Sequence, residues 1–200
     1  MAAATTTSNP AIVELPTRRI IISNSVLGMS VFIFTEVMLF AGLISGFMIA
    51  KGSVIPEFWP PFGQPRLPVE ETLINTGALL LSGVSLFIAY RRFMSRGPQA
   101  AVLPFGVAIL LGTFFLVFQG VEWAALIREG LTITSSQLGG FFYVIVGAHA
   151  LHAAGALVAL IALWVLLRAG RLKASTFEAV QLFWYFVVLM WPIIYWQVYL

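Results

Sequence analysis

The chain has 200 residues, of which 60% are hydrophobic and 10% charged, and its mean hydropathy is +0.97; a soluble domain needs about a quarter charged residues to cover its surface, so this composition belongs in a bilayer. Two histidines and no cysteines exclude thiolate-bound zinc, iron–sulfur clusters, a two-cysteine copper centre, CxxCH haem attachment and any disulfide framework. The formal charge of +3 comes from basic residues scattered over short loops, which reads as a topology signal, and no nucleic-acid partner is expected.

Residues 1–24, opening with MAAATTTSNP, form a leader that is disordered or lies on the surface, and residues 25–200 form one transmembrane domain. Crossing the hydrocarbon core takes roughly 20 apolar residues in helical form, and five stretches meet that length. The first runs from Val26 to Ala50. It is too long for a signal-peptide core and is read as retained. It carries Glu36 near its middle, in VFIFTEVMLFAG, and a GxxxG at Gly42 and Gly46. A loop broken by Pro56, Pro60, Pro61, Pro65 and Pro68 leads to the second span, Leu73 to Phe93, which opens on Asn75 and Thr76. Gly97 and Pro98 then mark a turn. The third span, Val102 to Ile127, ends with Gln119 and Glu122 in FLVFQGVEW. The fourth, Leu138 to Leu167, carries His149 and His152 on a helix thinned by Gly147, Ala150, Ala154 and Gly155. The fifth, Phe177 to Leu200, is aromatic-rich, and Pro192 is expected to kink it at or just before Trp191.

The expected architecture is therefore an all-α integral membrane bundle of five transmembrane helices. Arg18, Arg19, Arg91, Arg92, Arg96, Arg168, Arg171 and Lys173 fall on one side and only Lys51, Arg66 and Arg128 on the other. That asymmetry places the N-terminus in the cytoplasm and the C-terminus outside. The acids Glu57, Glu70, Glu71 and Glu129 then lie on the outer side. No internal repeat divides the spans into inverted halves, which argues against a secondary transporter.

Four ionisable residues remain inside the spans: Glu36, Glu122, His149 and His152. Such groups are costly in lipid and mark candidate function. Glu36 reads either as a protonated acid bonded to a neighbouring helix or partner subunit, or as a member of a proton pathway. His149 and His152, at i and i+3, share a helix face near mid-membrane, at a depth similar to that of Glu36, so a Glu36–histidine contact is expected. Two histidines three apart could bind copper or zinc but cannot clamp one haem from opposite faces. Interhelical hydrogen bonding is the simpler reading, and no metal, cofactor or catalytic residue is assigned. Asn75, Thr76, Gln119 and Glu122, together with His149, read as an interhelical polar cluster or as a contact for lipid head groups.

In order and spacing, VFIFTEVMLFAG, INTGALLLSG, LGTFFLVFQGVEW and FFYVIVGAHALHAAGAL resemble subunit III of haem–copper cytochrome oxidases, from about Ser25 to Leu200. Five spans resemble the shorter bacterial form, which lacks the first two helices of the seven-helix version. By that resemblance Glu36 matches the family's intramembrane glutamate, Asn75 and Thr76 its asparagine–threonine pair, Glu122 the acid closing the third span, and His149 and His152 its histidine pair. The departure is in the last helix, where Tyr185 stands in place of a histidine and Val188 in place of an aspartate. This puts in doubt any contact the missing pair makes.

The resemblance implies a non-catalytic inner-membrane subunit of a respiratory terminal oxidase, one that packs on catalytic subunit I, with subunit II and further membrane subunits nearby. It also implies structural phospholipid, expected near Glu122 and His149, and support of proton uptake and stability during aerobic electron transport. Haems and copper are expected in the partner subunits, since two histidines cannot supply the six ligands that oxygen chemistry needs. Related subunits accompany quinol oxidases and nitric oxide reductases. From a different class, a stand-alone proton-coupled transporter would use Glu36 and His149 as its relay, and a haem-binding anchor would need histidines on facing helices.

Overall fold

The computed structural model of the chain describes residues 23–53 and 67–199, apart from the side chain of Leu138. The described residues form five helices long and apolar enough to cross a membrane: α1 (Asn24–Gly52), α2 (Val69–Arg96), α3 (Pro98–Arg128), α4 (Gln137–Arg168) and α5 (Ala174–Ile194), the last continued by a π-helical turn over Tyr195–Tyr199. Most of the leader lies outside the described residues, as do Arg18, Arg19, Glu57, Arg66 and all the expected loop prolines except Pro68.

Local chemistry sets the helix ends. Ser23 and Ser136 cap α1 and α4, accepting the backbone N–H groups of Val26 at 3.3 Å and Gly139 at 3.0 Å. Between α2 and α3 the chain reverses through Gly97 alone, at φ +87°, where a side chain would be strained, with Pro98 fitted to the first position of α3. That single-residue link makes α2 and α3 the most extensively packed pair in the bundle. The helices overrun their apolar stretches by up to about a turn because polar residues at the ends remain helical where head groups and water can solvate them: α2 starts at Val69 rather than Leu73.

α5 lies at the centre of the bundle, packed on α1, α4 and α2. Its Trp184 and Trp191 are fully buried. The helix continues through Pro192, and the expected irregularity appears three residues later as the π turn. Proline removes the N–H that would bond the carbonyl four residues earlier, and the wider turn that follows carries Tyr195 and Tyr199 inward. α1 sits at the edge, touching α5 and α4, with only Phe40, Phe47 and Ala50 buried.

Candidate functional site: two intramembrane polar clusters

The first cluster joins α1 to α4. His152 Nε2 lies 2.8 Å from Glu36 Oε2, and His152 Nδ1 lies 2.7 Å from the carbonyl of Ala148, one turn back on its own helix. A carbonyl can only accept, so Nδ1 carries a proton. One further proton must then sit between Nε2 and Glu36, either on the carboxyl group or on the imidazole. The pair is electrically neutral as a unit in both forms, which is how it tolerates a site where Glu36 and His152 are about 15% and 14% exposed. Phe40, Phe183 and Phe186 ring His152 with centroids 5.5 to 6.3 Å away. Depth alone left open which histidine would meet Glu36; helix rotation selects His152.

His149, one turn earlier, points the other way. It is 1% exposed, lies against Trp191 at 5.0 Å between ring centres, and meets the edges of Phe115 and Phe40.

The second cluster closes the ends of α2, α3 and α5. Glu122 accepts from Thr72 Oγ1 at 3.1 Å and from Gln119 Nε2 at 2.9 Å, and the same Gln119 amide donates to the Tyr199 hydroxyl at 3.1 Å. Asn75 Nδ2 donates to the carbonyl of Phe115 at 3.2 Å, and Thr76 Oγ1 accepts from Trp191 Nε1 at 2.8 Å. Asn75, Thr76, Gln119 and Glu122 thus lie between the same three helices, while His149 stands apart from them across Phe115 and Trp191. All five side chains are buried, and the partners above are protein groups. Asn75, Thr76, Gln119 and Glu122 make interhelical hydrogen bonds, while Asn75 Oδ1, Gln119 Oε1 and His149 Nε2 have no hydrogen-bond partner among the described residues.

Sequence reading missed Thr72, Tyr199 and Trp191 as members of this cluster. Thr72 lies just before the expected start of its span, and Tyr199 reaches inward through the π turn. At the two divergent positions, Tyr185 accepts from Gln181 Nε2 one turn earlier, and Val188 packs on Gly83 of α2, where an added Cβ would come 3.2 Å from Val188 Cγ1. A buried aspartate in place of Val188 would face that close backbone approach, so the apolar residue and Gly83 suit each other. Among the described residues, no group of three or more His, Cys, Asp or Glu could hold a metal ion.

The family model for cytochrome c oxidase subunit III matches residues 18–200. The chain belongs to the cytochrome c oxidase subunit III family. It is 33% identical over 181 residues to the cytochrome c oxidase subunit 3 of Osphranter robustus, covering 86% of this chain and 67% of that protein. The subunits of Pelomedusa subrufa and Pongo abelii are each 32% identical over the same shares of the two chains. This membership, with five membrane-crossing helices, makes the chain a multi-pass membrane protein.

Proposed function

We propose that this chain is a subunit of a respiratory terminal oxidase that carries no redox centre itself, packs against the catalytic subunit in the bacterial inner membrane with its N-terminus in the cytoplasm, and supports proton uptake and stability during turnover. The observation that carries the reading is the family match over residues 18–200. The Glu36–His152 pair supports the proton-related part, because two groups 2.8 Å apart share one exchangeable proton at the bundle edge.

Structural phospholipid is expected near Glu122 and His149 and, in this reading, also in the groove between α1 and α5. Its polar end is lined by Tyr90, Glu178, Gln181 and Tyr185. It continues past Leu182 and Tyr185 to Ile33, Val37, Phe186 and Ile193. A groove with one polar end and an apolar run fits an amphiphile.

The test is to purify the chain from its membrane in mild detergent, identify the co-purifying chains, and record the reduced-minus-oxidised spectrum. Haem a bands with a histidine-rich partner are expected. A b-type spectrum would shift the assignment to a quinol oxidase or nitric oxide reductase, and a colourless, solitary chain would overturn it.

A further inference from the structure

A buried polar group without a hydrogen bond is costly in a protein interior, and within the membrane no bulk water reaches it. Three such atoms lie at the inner cluster: Asn75 Oδ1, Gln119 Oε1 and His149 Nε2 have no hydrogen-bond partner among the described residues. The three residues are 0%, 2% and 1% exposed. A fourth such atom, Trp123 Nε1, belongs to a half-buried side chain one turn beyond Gln119.

Helix packing brings the three to one level. Gly106 packs on Trp164, Gly112 on Leu157 and Gly147 on Trp123, an antiparallel register of α3 and α4 that sets His149 level with Gln119. Asn75 bonds the carbonyl of Phe115, one turn before Gln119 on α3. The His149 ring meets Phe115 edge-on at 6.2 Å and lies 5.0 Å from Trp191, whose N–H bonds Thr76, the neighbour of Asn75. The unpartnered atoms therefore share the interior around Phe115 and Trp191.

The bonds already made decide which atom of each amide is left over. The Phe115 carbonyl can only accept, so Asn75 turns its NH2 group to it and leaves Oδ1. Gln119 Nε2 is taken by Glu122 at 2.9 Å and by Tyr199 at 3.1 Å, which leaves Oε1. Two amide oxygens need a molecule with two donors. A lipid phosphate offers acceptors alone, which these oxygens cannot use. Water has two O–H donors and keeps a lone pair for an N–H, and it completes the set when His149 carries its proton on Nε2. With that nitrogen bare there would be three acceptors, more than one water can serve.

We propose that an internal water binds between α2, α3 and α4, donating to Asn75 Oδ1 and Gln119 Oε1 and accepting from the Nε2–H of His149. Three polar partners are the usual complement of a buried water. It ties His149, and with it α4, to the polar cluster of α2 and α3. It also gives the two histidines opposite protonation sites: Nε2 in His149, and Nδ1 in His152, where the Ala148 carbonyl at 2.7 Å requires it. The site follows from the packing of this chain alone and stands whether or not the oxidase reading does.

The test uses the full chain, whose only histidines are these two, with ¹⁵N-labelled rings in hydrated bilayers. Solid-state NMR reports which ring nitrogen carries a proton, and magnetisation transfer from water reports which nitrogen touches water. The expected result is a His149 ring protonated on Nε2 alone, with transfer from water to that nitrogen. Asn75→Leu, similar in volume but without the acceptor, should abolish the transfer. Ser85→Ala, on the same helix but with a hydroxyl already bonded to the Pro104 carbonyl at 2.8 Å, should leave it intact. In the unaltered chain, a His149 proton on Nδ1, no transfer to Nε2, or dephasing of Nε2 by lipid phosphorus, which would put a head group there, would overturn the site. Undiminished transfer in Asn75→Leu would do the same.

Discussion

Helices α1 and α5 look alike as strings of apolar residues, yet they occupy opposite situations. Of the two, α1 is the more apolar, and it is also the less buried: Val31, Phe34, Met38 and Ile49 are all more than half exposed. α5 carries Gln181, two buried tryptophans and a tyrosine-rich end, and it forms the core. In water, hydrophobic content drives a helix inward. In lipid that driving force between helices is absent, and small residues and hydrogen-bonding side chains mark the protein interior instead. Trp184 and Trp191 follow that rule, each burying a large ring while its N–H reaches a hydroxyl on α2, Ser82 at 3.1 Å and Thr76 at 2.8 Å. α1 follows it too, since its one ionisable residue inside the membrane, Glu36, faces α4.

Substitutions that act differently on the two helices sharpen this contrast. The largest effect is expected at Gly112 of α3, where an added Cβ would come within 2.7 Å of the Trp184 ring. Gly112→Leu should destabilise the bundle by about 1–3 kcal/mol through overpacking, seen as a lower melting temperature in detergent. Trp191→Phe removes the bond to Thr76 and puts a smaller ring in a fully buried site, and a loss of about 1–2 kcal/mol is expected in the same assay. Thr72→Val removes the hydroxyl that bonds the Pro68 carbonyl at 2.6 Å and lies 3.1 Å from Glu122 while preserving shape, with an expected cost of about 0.6 kcal/mol; the carboxyl stretch of Glu122, followed by infrared difference spectroscopy, should shift as that contact is lost. The smallest effect is expected on α1. Gly42 has nothing within 4 Å of an added Cβ, so Gly42→Ala should leave stability within about 0.5 kcal/mol. A large loss from Gly42→Ala in the isolated chain would mean that α1 is buried after all, and the contrast between the two helices would fail.

How much of this was legible in the sequence follows from the same physics. Five spans could be read because crossing a membrane imposes a length and a composition that nothing else in the chain mimics. The pairing of Glu36 with a histidine was readable because both must lie at one depth. The choice of His152 over His149 was not, because it depends on the rotation of α4 about its own axis. Within the second cluster, Gln119 and Glu122 were visible as neighbours at i and i+3, and Asn75 and Thr76 as residues of similar depth. The partners of Asn75 and Gln119 were hidden: one is the backbone carbonyl of Phe115, which no side-chain pattern reveals, and the other is Tyr199, brought inward by a π turn behind Pro192. Thr72 was missed because hydropathy marks the apolar core of a helix and not the polar turn that extends it.

The central claim is that an intramembrane polar contact, Glu36 to His152, joins the edge helix α1 to α4. Its most direct test is a solid-state NMR measurement of the dipolar coupling between the ¹³C-labelled Glu36 carboxyl and ¹⁵N-labelled histidine rings in a lipid bilayer, with Glu36→Gln as the reference that assigns the signal. The account predicts a strong coupling to the Nε2 of His152 and none to His149. A coupling to His149, or none to either ring, would contradict it.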